Sequence, residues 1–380
     1  MRRCRYCAFV STVPKHIPAD DFTQAIIREL LLQKSLYDSG TLLTVYFGGG
    51  TPTMLPDSSL EQILSAIFKN FRQPQEITLE ANPEHVTKER AETWKKIGIN
   101  RVSLGIQAFD DELLKILGRN HSACQARKSV EILKNAGFDD LSIDLIYGCH
   151  CADDSNLQSI TRWHNELRIL NDIQPAHLSC YELTLEEHTP LWTLSKHGTQ
   201  ILCEESVILE MMRMIPDQSG MKRYEISNYS RNNYYSAHNL SCWAGLPYLG
   251  IGPGAHSFQK SQNGFYRWAN TNLVRQWMTS LNQDHRQPIP LFKEQLSAQS
   301  HLAERLICAA RTQLPWNPSD IARQIHAEIN PYMPGITKAI QHGLLSRDSE
   351  NPDLIITTPK GIELNNLLDE MIFEGFDEPS

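Results

Sequence analysis

The chain has 380 residues, room for two or three domains at about 100–200 residues each. Its 41% hydrophobic and 21% charged residues exclude a chain disordered throughout. Lys and Arg number 36 against 44 Asp and Glu, a formal net charge of −8. No global basic field is left for a phosphate backbone, so neither DNA nor RNA is expected as the main partner.

No apolar run approaches about 18 residues. The opening Met1-Arg-Arg-Cys-Arg-Tyr-Cys7 has no signal-peptide core, so the expected location is the cytoplasm. In that compartment the nine cysteines read as free thiols or metal ligands rather than a disulfide framework.

In chain order, short β-rich runs alternate with helical patterns through the first 200 residues, the rhythm of βα units on a parallel sheet. Strands are expected at Leu42 to Phe47, Glu76 to Glu80, Arg101 to Ile106, Leu141 to Ile146 and Ala176 to Leu183. Helices are expected near 19–38, 58–71, 87–97, 111–117, 123–136 and 155–170, several opened by Asp, Ser or Thr as caps. Residues 1–200 thus form an α/β domain, a β/α barrel whole or partial.

Residues 201–290 begin with a helix (Ile201 to Ile215), turn rich in Tyr, Asn, Trp and Gly, and read as a mixed extension packed on the barrel edge. Residues 291–380 carry helical patterns near 295–311, 317–326 and 332–342. Gly343-Leu-Leu, an extended Leu354-Ile-Ile-Thr-Thr and a closing helix from Lys360 complete a winged-helix-like α+β tail.

In parallel β/α folds, function gathers at the carboxyl ends of the strands. The five strand ends deliver Gly48-Gly49-Gly50-Thr51-Pro52-Thr53, Glu80-Ala-Asn82-Pro83, Gln107, Asp144, and Tyr181 with Glu182. Any one of these reads as a turn, a helix cap or a structural hydrogen bond; all five on one rim point to a shared site. At the N-terminus stands Cys4-Arg-Tyr6-Cys7. A C-x-x-C pair suits zinc, an iron–sulfur cluster or a redox couple. The redox reading lacks a preceding strand, and zinc lacks a second well-spaced pair, since Cys149-His-Cys151 is one residue apart.

Together these residues resemble a known family. Cys4-x-Tyr6-Cys7, Gly48 to Thr53, Glu80-Ala-Asn-Pro, Ser103-Leu-Gly-Ile-Gln107, Leu117-Gly-Arg119-Asn-His121 and Asp144-Leu-Ile-Tyr-Gly148 look like the radical S-adenosylmethionine (SAM) proteins related to oxygen-independent coproporphyrinogen III dehydrogenase. Tyr224-Glu-Ile-Ser-Asn228-Tyr, His238-Asn239-x-x-x-Trp243 and Tyr248 to Ser257 look like its subgroup of haem chaperones, HemW. Gly343-Leu-Leu and Thr358-Pro-Lys-Gly361 fit the family's C-terminal domain.

The resemblance implies a partial (β/α)6 barrel with a [4Fe-4S] cluster, SAM and haem as cofactors. Cys4 and Cys7 would ligate the cluster. Gly49, Gly50 and Thr51 would meet the methionyl end of SAM and Arg119 its carboxylate. Glu80, Gln107 and Asp144 would hold SAM through polar contacts, with Tyr6 against it, and His238 would be the axial ligand of haem. The implied partners are haem, haem-acceptor proteins and an electron donor, with peripheral contact to membrane-bound acceptors.

In the family's C-x3-C-x2-C loop, Cys4 and Cys7 are the second and third cysteines. The first then falls one position before Met1, together with the strand that precedes the loop. The expectation is a start upstream of Met1; loss of the cluster, giving a degenerate scaffold, is the rival, and a thiolate from Cys149 or Cys151 is a third option. In the dehydrogenases Gly and a fourth Cys follow the loop, whereas here Ala8-Phe9 follow, as in the chaperones. The chaperones' His-Asn-x-x-Tyr-Trp reads His238-Asn239-Leu-Ser-Cys242-Trp243 here. The resemblance implies a haem chaperone, with coproporphyrinogen decarboxylation as the alternative activity.

Overall fold

The computed structural model describes residues 3–8, 18–34, 41–151, 155–261, 264–282 and 290–374. The chain divides into two compact units. The first comprises Met1–Leu31, Tyr37–Lys222 and Ser227–His238, and the second comprises Leu32–Leu36, Arg223–Ile226 and Asn239–Ser380.

The first unit is built on five parallel strands paired in chain order: β1 (Thr44–Phe47), β2 (Glu76–Ala81), β3 (Arg101–Gln107), β4 (Asp140–Tyr147) and β5 (His177–Glu182). The sheet ends on two short strands, β7 (Asn228–Ser230), antiparallel to β5, and then β6 (Lys222–Arg223). Each crossover carries a helix, and the expected caps form. Thr87 and Asp110 cap their helices, while Ser122 and Ser155 close capping boxes with Gln125 and Gln158. Such caps satisfy backbone N–H groups that a first helical turn leaves unpaired.

The first helix spans Ala19–Gln33, and the expected residues 35–38 lie outside the described residues. Another helix differs from the expected span, starting at Glu205 rather than Ile201 and passing Pro216 to end at Ser219. Its start is delayed because residues 201–203 are extended. His150 donates its N–H to the Ile201 carbonyl at 2.8 Å, and Cys203 donates to that of Gly148 at 2.9 Å. Gly220, left-handed at φ 63°, terminates the helix.

The strands alternate by face. Ile77, Leu79, Val102, Leu104, Leu141, Ile143, Leu145 and Leu178 are fully or almost fully buried on one face. Polar residues line up in register on the other: Tyr46–Thr78–Arg101–Asp140, Glu80–Ser103–Ser142–His177, and Gly105–Asp144–Ser179. Parallel strands buried on both faces ordinarily read as continuous apolar runs. Here one face is given to hydrogen bonding: Arg101 pairs with Asp140, and Ser142 Oγ meets His177 Nδ1 at 2.8 Å.

In the second unit an antiparallel sheet of β8 (His256–Ser261), β9 (Gly264–Asn270) and β10 (Pro290–Leu296) has β9 central. Helices Ala298–Ala310, Pro318–Ile325 and Met333–Gln341 follow, then the hairpin of β11 (Leu345–Arg347) and β12 (Ile355–Thr357) and two closing helices. This is the helices-then-wing order expected from the sequence. Phe258, Leu302, Leu306, Trp316, Ile336, Leu345 and Leu368 share one core. The two C-terminal motifs meet where the Thr358 N–H donates to the Leu344 carbonyl at 3.0 Å, while Thr358 Oγ1 accepts from Gly361 N.

Candidate cofactor site at the strand-end rim

The cysteine loop is held at the rim by its own backbone. Arg5 N–H donates to the Leu117 carbonyl, and the Arg5 carbonyl accepts from Leu191 N, both at 3.0 Å. The approach needs Gly118, left-handed at φ 74°, because a Cβ there would stand 2.8 Å from Arg5 Cγ and 3.2 Å from Arg5 N. Cys4 and Cys7 are free, half-buried thiols. Tyr6, between them, packs against the cluster of Leu114, Leu117, Leu183 and Leu191, and burial raises its phenol pKa.

Gly118 also turns the chain so that Arg119, which follows a helix rather than a strand, returns to the rim. Its Nη1 donates to Cys4 Sγ at 3.1 Å, and its Nη2 donates to Asn82 Oδ1 at 2.6 Å and to the Gly105 carbonyl at 2.8 Å. Desolvation pulls the guanidinium pKa down, but Tyr6 and Cys4 beside it more than offset this, so it stays charged. Arg119 Nε is buried with no hydrogen-bond partner among the described residues. An orphaned donor on a buried cation marks a place where an acceptor is expected.

Glu80, at the end of β2, accepts from Tyr46 Oη at 2.7 Å and from Gly49 N at 3.2 Å. Burial pushes its carboxyl up to about 7, outweighing the Tyr46 hydrogen bond, and Asp144 adds to the rise. Asp144 accepts from Ser103 Oγ at 2.8 Å and from the Ser179 hydroxyl, and burial again raises its pKa. Gln107 closes β3 with φ 70°, left-handed for a non-glycine residue and the kind of strain that collects at functional sites. Around Gly49 and Gly50 a Cβ would meet nothing within 4 Å, so open space borders this loop. Thr51 begins a short 3₁₀ turn, its carbonyl accepting from Met54 N at 2.9 Å.

The eleven residues read from sequence do not all converge. Cys4, Tyr6 and Arg119 are joined directly, Gly49 joins Glu80, and Thr51 and Gln107 sit at their strand ends. Cys149 and Cys151 instead lie in the apolar cluster, and burial pushes the Cys149 thiol up to about 12. No group of three or more His, Cys, Asp and Glu that could hold a metal exists among the described residues.

His238 stands elsewhere on the polar face. Its Nδ1 lies 3.0 Å from Thr44 Oγ1, and its ring stacks on Tyr46 at 4.6 Å between centroids. Burial lowers its pKa against the pull of Glu76, so the imidazole is neutral near pH 7. Asn82 was read at the rim but given no role, and Tyr46, Thr44 and Glu76 were missed as site residues. The alternation of polar side chains in Thr44-Val-Tyr46 and Glu76-Ile-Thr78-Leu-Glu80 was the available signal. Cys242, four residues after His238, is on the helix Ala237–Trp243, and desolvation and the neighbouring Cys308 push its thiol up.

The model of the Radical SAM superfamily matches residues 1–163, and the parallel α/β sheet with a C-x-x-C loop, a glycine turn and carboxylates at one rim fits a radical SAM protein. The chain is 30% identical over 379 residues to the heme chaperone HemW of Lactococcus lactis, covering 98% of this chain and 93% of that one. It is 31% identical over 329 residues to the heme chaperone HemW of Synechocystis, covering 82% and 75%. The fold matches that of the coproporphyrinogen III oxidase HemN of Escherichia coli with a TM-score of 0.79 at 18% identity, covering 98% and 87%. The chain belongs to the HemW family of radical SAM proteins. Membership implies a [4Fe-4S] cluster and SAM. No helix among the described residues is long and apolar enough to cross a membrane.

Proposed function

We propose that this protein is a haem chaperone: it binds haem through His238 and passes it to acceptor proteins in the cytoplasm, on a scaffold that takes a [4Fe-4S] cluster and SAM. One observation carries the reading. His238 is a neutral imidazole with one ring nitrogen engaged by Thr44 and its ring face packed on Tyr46, the form in which histidine serves as an axial haem donor. The likeness to heme chaperones over almost the whole chain supports it.

Cys4 and Cys7 fit the cluster as two of its thiolates, since they stand three residues apart in a pinned loop with a cation on one sulfur. Bound together, cluster and SAM would supply one-electron chemistry fed by an electron donor. Arg119 Nε is the donor left for the SAM carboxylate, and Gly49, Gly50 and Thr51 border the space for its methionyl end. Glu80, Gln107 and Asp144 would hold SAM through polar contacts, with Tyr6 closing the side toward the cysteines. Haem-acceptor proteins, some of them reached by peripheral contact with a membrane, are the partners in this reading.

A haem titration followed at the Soret band tests it. The wild-type chain is expected to saturate at about one haem per chain through an imidazole ligand, and His238→Ala is expected to bind much more weakly. Equal binding by His238→Ala overturns the ligand assignment, and absence of binding by the wild-type chain overturns the chaperone reading.

A further inference from the structure

His238 is fixed three times over, each time by a residue of the first two strands. Glu76, which opens β2, accepts from Ala237 N at 2.8 Å and from His238 N at 3.0 Å, and thereby caps the start of the helix that carries the histidine. Tyr46 sets the ring plane, stacking at 21° between planes. Thr44 meets Nδ1 at 3.0 Å. A histidine that only fills space requires one such contact. Backbone, ring plane and ring nitrogen all held at once is the pattern of an imidazole whose remaining nitrogen must point one way.

From this geometry we infer that Thr44 is a positioning residue for haem: its Oγ1 accepts the Nδ1–H of His238, which fixes the tautomer and leaves the Nε2 lone pair for iron. The inference rests on the haem-ligand reading of His238 and adds a residue to it. Imidazole has two tautomers, and only one presents an unprotonated Nε2. A hydroxyl can donate as well as accept; in the accepting role assigned here it holds the ring in that tautomer and makes it a richer donor, because the hydrogen bond polarises the N–H bond. Richer donation favours ferric over ferrous iron. A role in packing alone carries no such electronic consequence.

The test uses the full chain and compares Thr44→Val, which keeps the shape and removes the acceptor, with Thr44→Ser, which restores it. Haem affinity and the midpoint potential of the bound haem are read for each, with His238→Ala run in parallel. Thr44→Val is expected to bind roughly tenfold more weakly, in line with losses of outer-shell partners at metal sites, and to shift the potential to more positive values. Thr44→Ser is expected to return both toward wild type. Should Thr44→Val not fold, Thr44→Ala removes the same acceptor with less bulk and carries the same expectation. Wild-type affinity and potential in the acceptor-less variant, with His238→Ala impaired, overturn the role of Thr44 and leave the haem reading standing. Equal binding by His238→Ala overturns both.

Discussion

The two faces of the five parallel strands are made from the same segments, one residue apart, and do opposite work. On one face Ile77, Leu79, Val102, Leu104, Ile143 and Leu145 are buried with no polar atom beyond the backbone. On the other, Tyr46, Glu80, Ser103, Ser142, Asp144 and Ser179 are tied to one another by hydroxyl–carboxylate and hydroxyl–hydroxyl contacts. The apolar face contributes stability through area removed from water, which has no direction. The polar face contributes positions, because each hydrogen bond fixes an angle as well as a distance. Among the described residues neither Glu80 nor Asp144 forms an ion pair, and burial raises both carboxyl pKa values, for Asp144 against the pull of Arg101 and Arg119. A sheet face that keeps protonatable carboxyls beside open space has exchanged some stability for chemistry.

Breaking the apolar face should cost stability and leave ligand binding intact. Leu79→Ala, at a fully buried position, is expected to lower the unfolding free energy by about 2–5 kcal/mol. Denaturant unfolding of the purified variant measures this, and a loss under 1 kcal/mol, on the scale of surface substitutions, would show that the face does not form the core described.

The opposite face should reveal itself through pH. Glu80 has its carboxyl raised from 4.5 to about 7, so folding favours its protonated form. The associated stability is complete below the unfolded value and is lost as pH rises through the folded one. Between pH 4.5 and 7 the wild type should therefore lose on the order of 3 kcal/mol relative to Glu80→Gln. Parallel urea curves for the two proteins at both ends of that range would deny the raised pKa.

Arg119→Ala touches the rim rather than the core. Loss of a charge-assisted hydrogen bond is worth about 1.5–3 kcal/mol, so SAM affinity in the cluster-loaded protein should fall roughly ten- to hundredfold. Calorimetry compares it with wild type, and an unchanged affinity would remove Arg119 from the SAM site. The smallest effect is expected at Cys242, whose thiol is raised by desolvation and by Cys308. A protonated thiol is a weak ligand, so Cys242→Ala should change the haem spectrum less than His238→Ala does. A larger change in the Soret position for the cysteine variant would reverse that ranking.

Much of this was legible from residues in order. The five strands, their crossover helices and the hydrophilic caps at Thr87, Asp110, Ser122 and Ser155 follow from alternation and capping chemistry, which act over three or four residues. The glycine turn and the carboxylates at the strand ends follow from the same local logic. Less legible was the later start of the helix Glu205–Ser219, because Ile201 to Cys203 are drawn into extended pairing by residues 148–150, more than 50 positions earlier. A local pattern carries no trace of a partner that distant.

By itself the sequence determined the α/β class, the strand ends, the cysteine loop and the family, since each is written in short spacings of residue types. Only the tertiary structure decided which polar side chains meet. Arg119 reaches Cys4 and Asn82 across 115 and 37 positions, and His238 reaches Thr44 across 194. Such pairs form only once the folded sheet gathers the loops beyond its strand ends and the helix carrying His238 against its first strands. Their hydrogen bonds then depend on ångström-scale placement, which residue order alone does not specify.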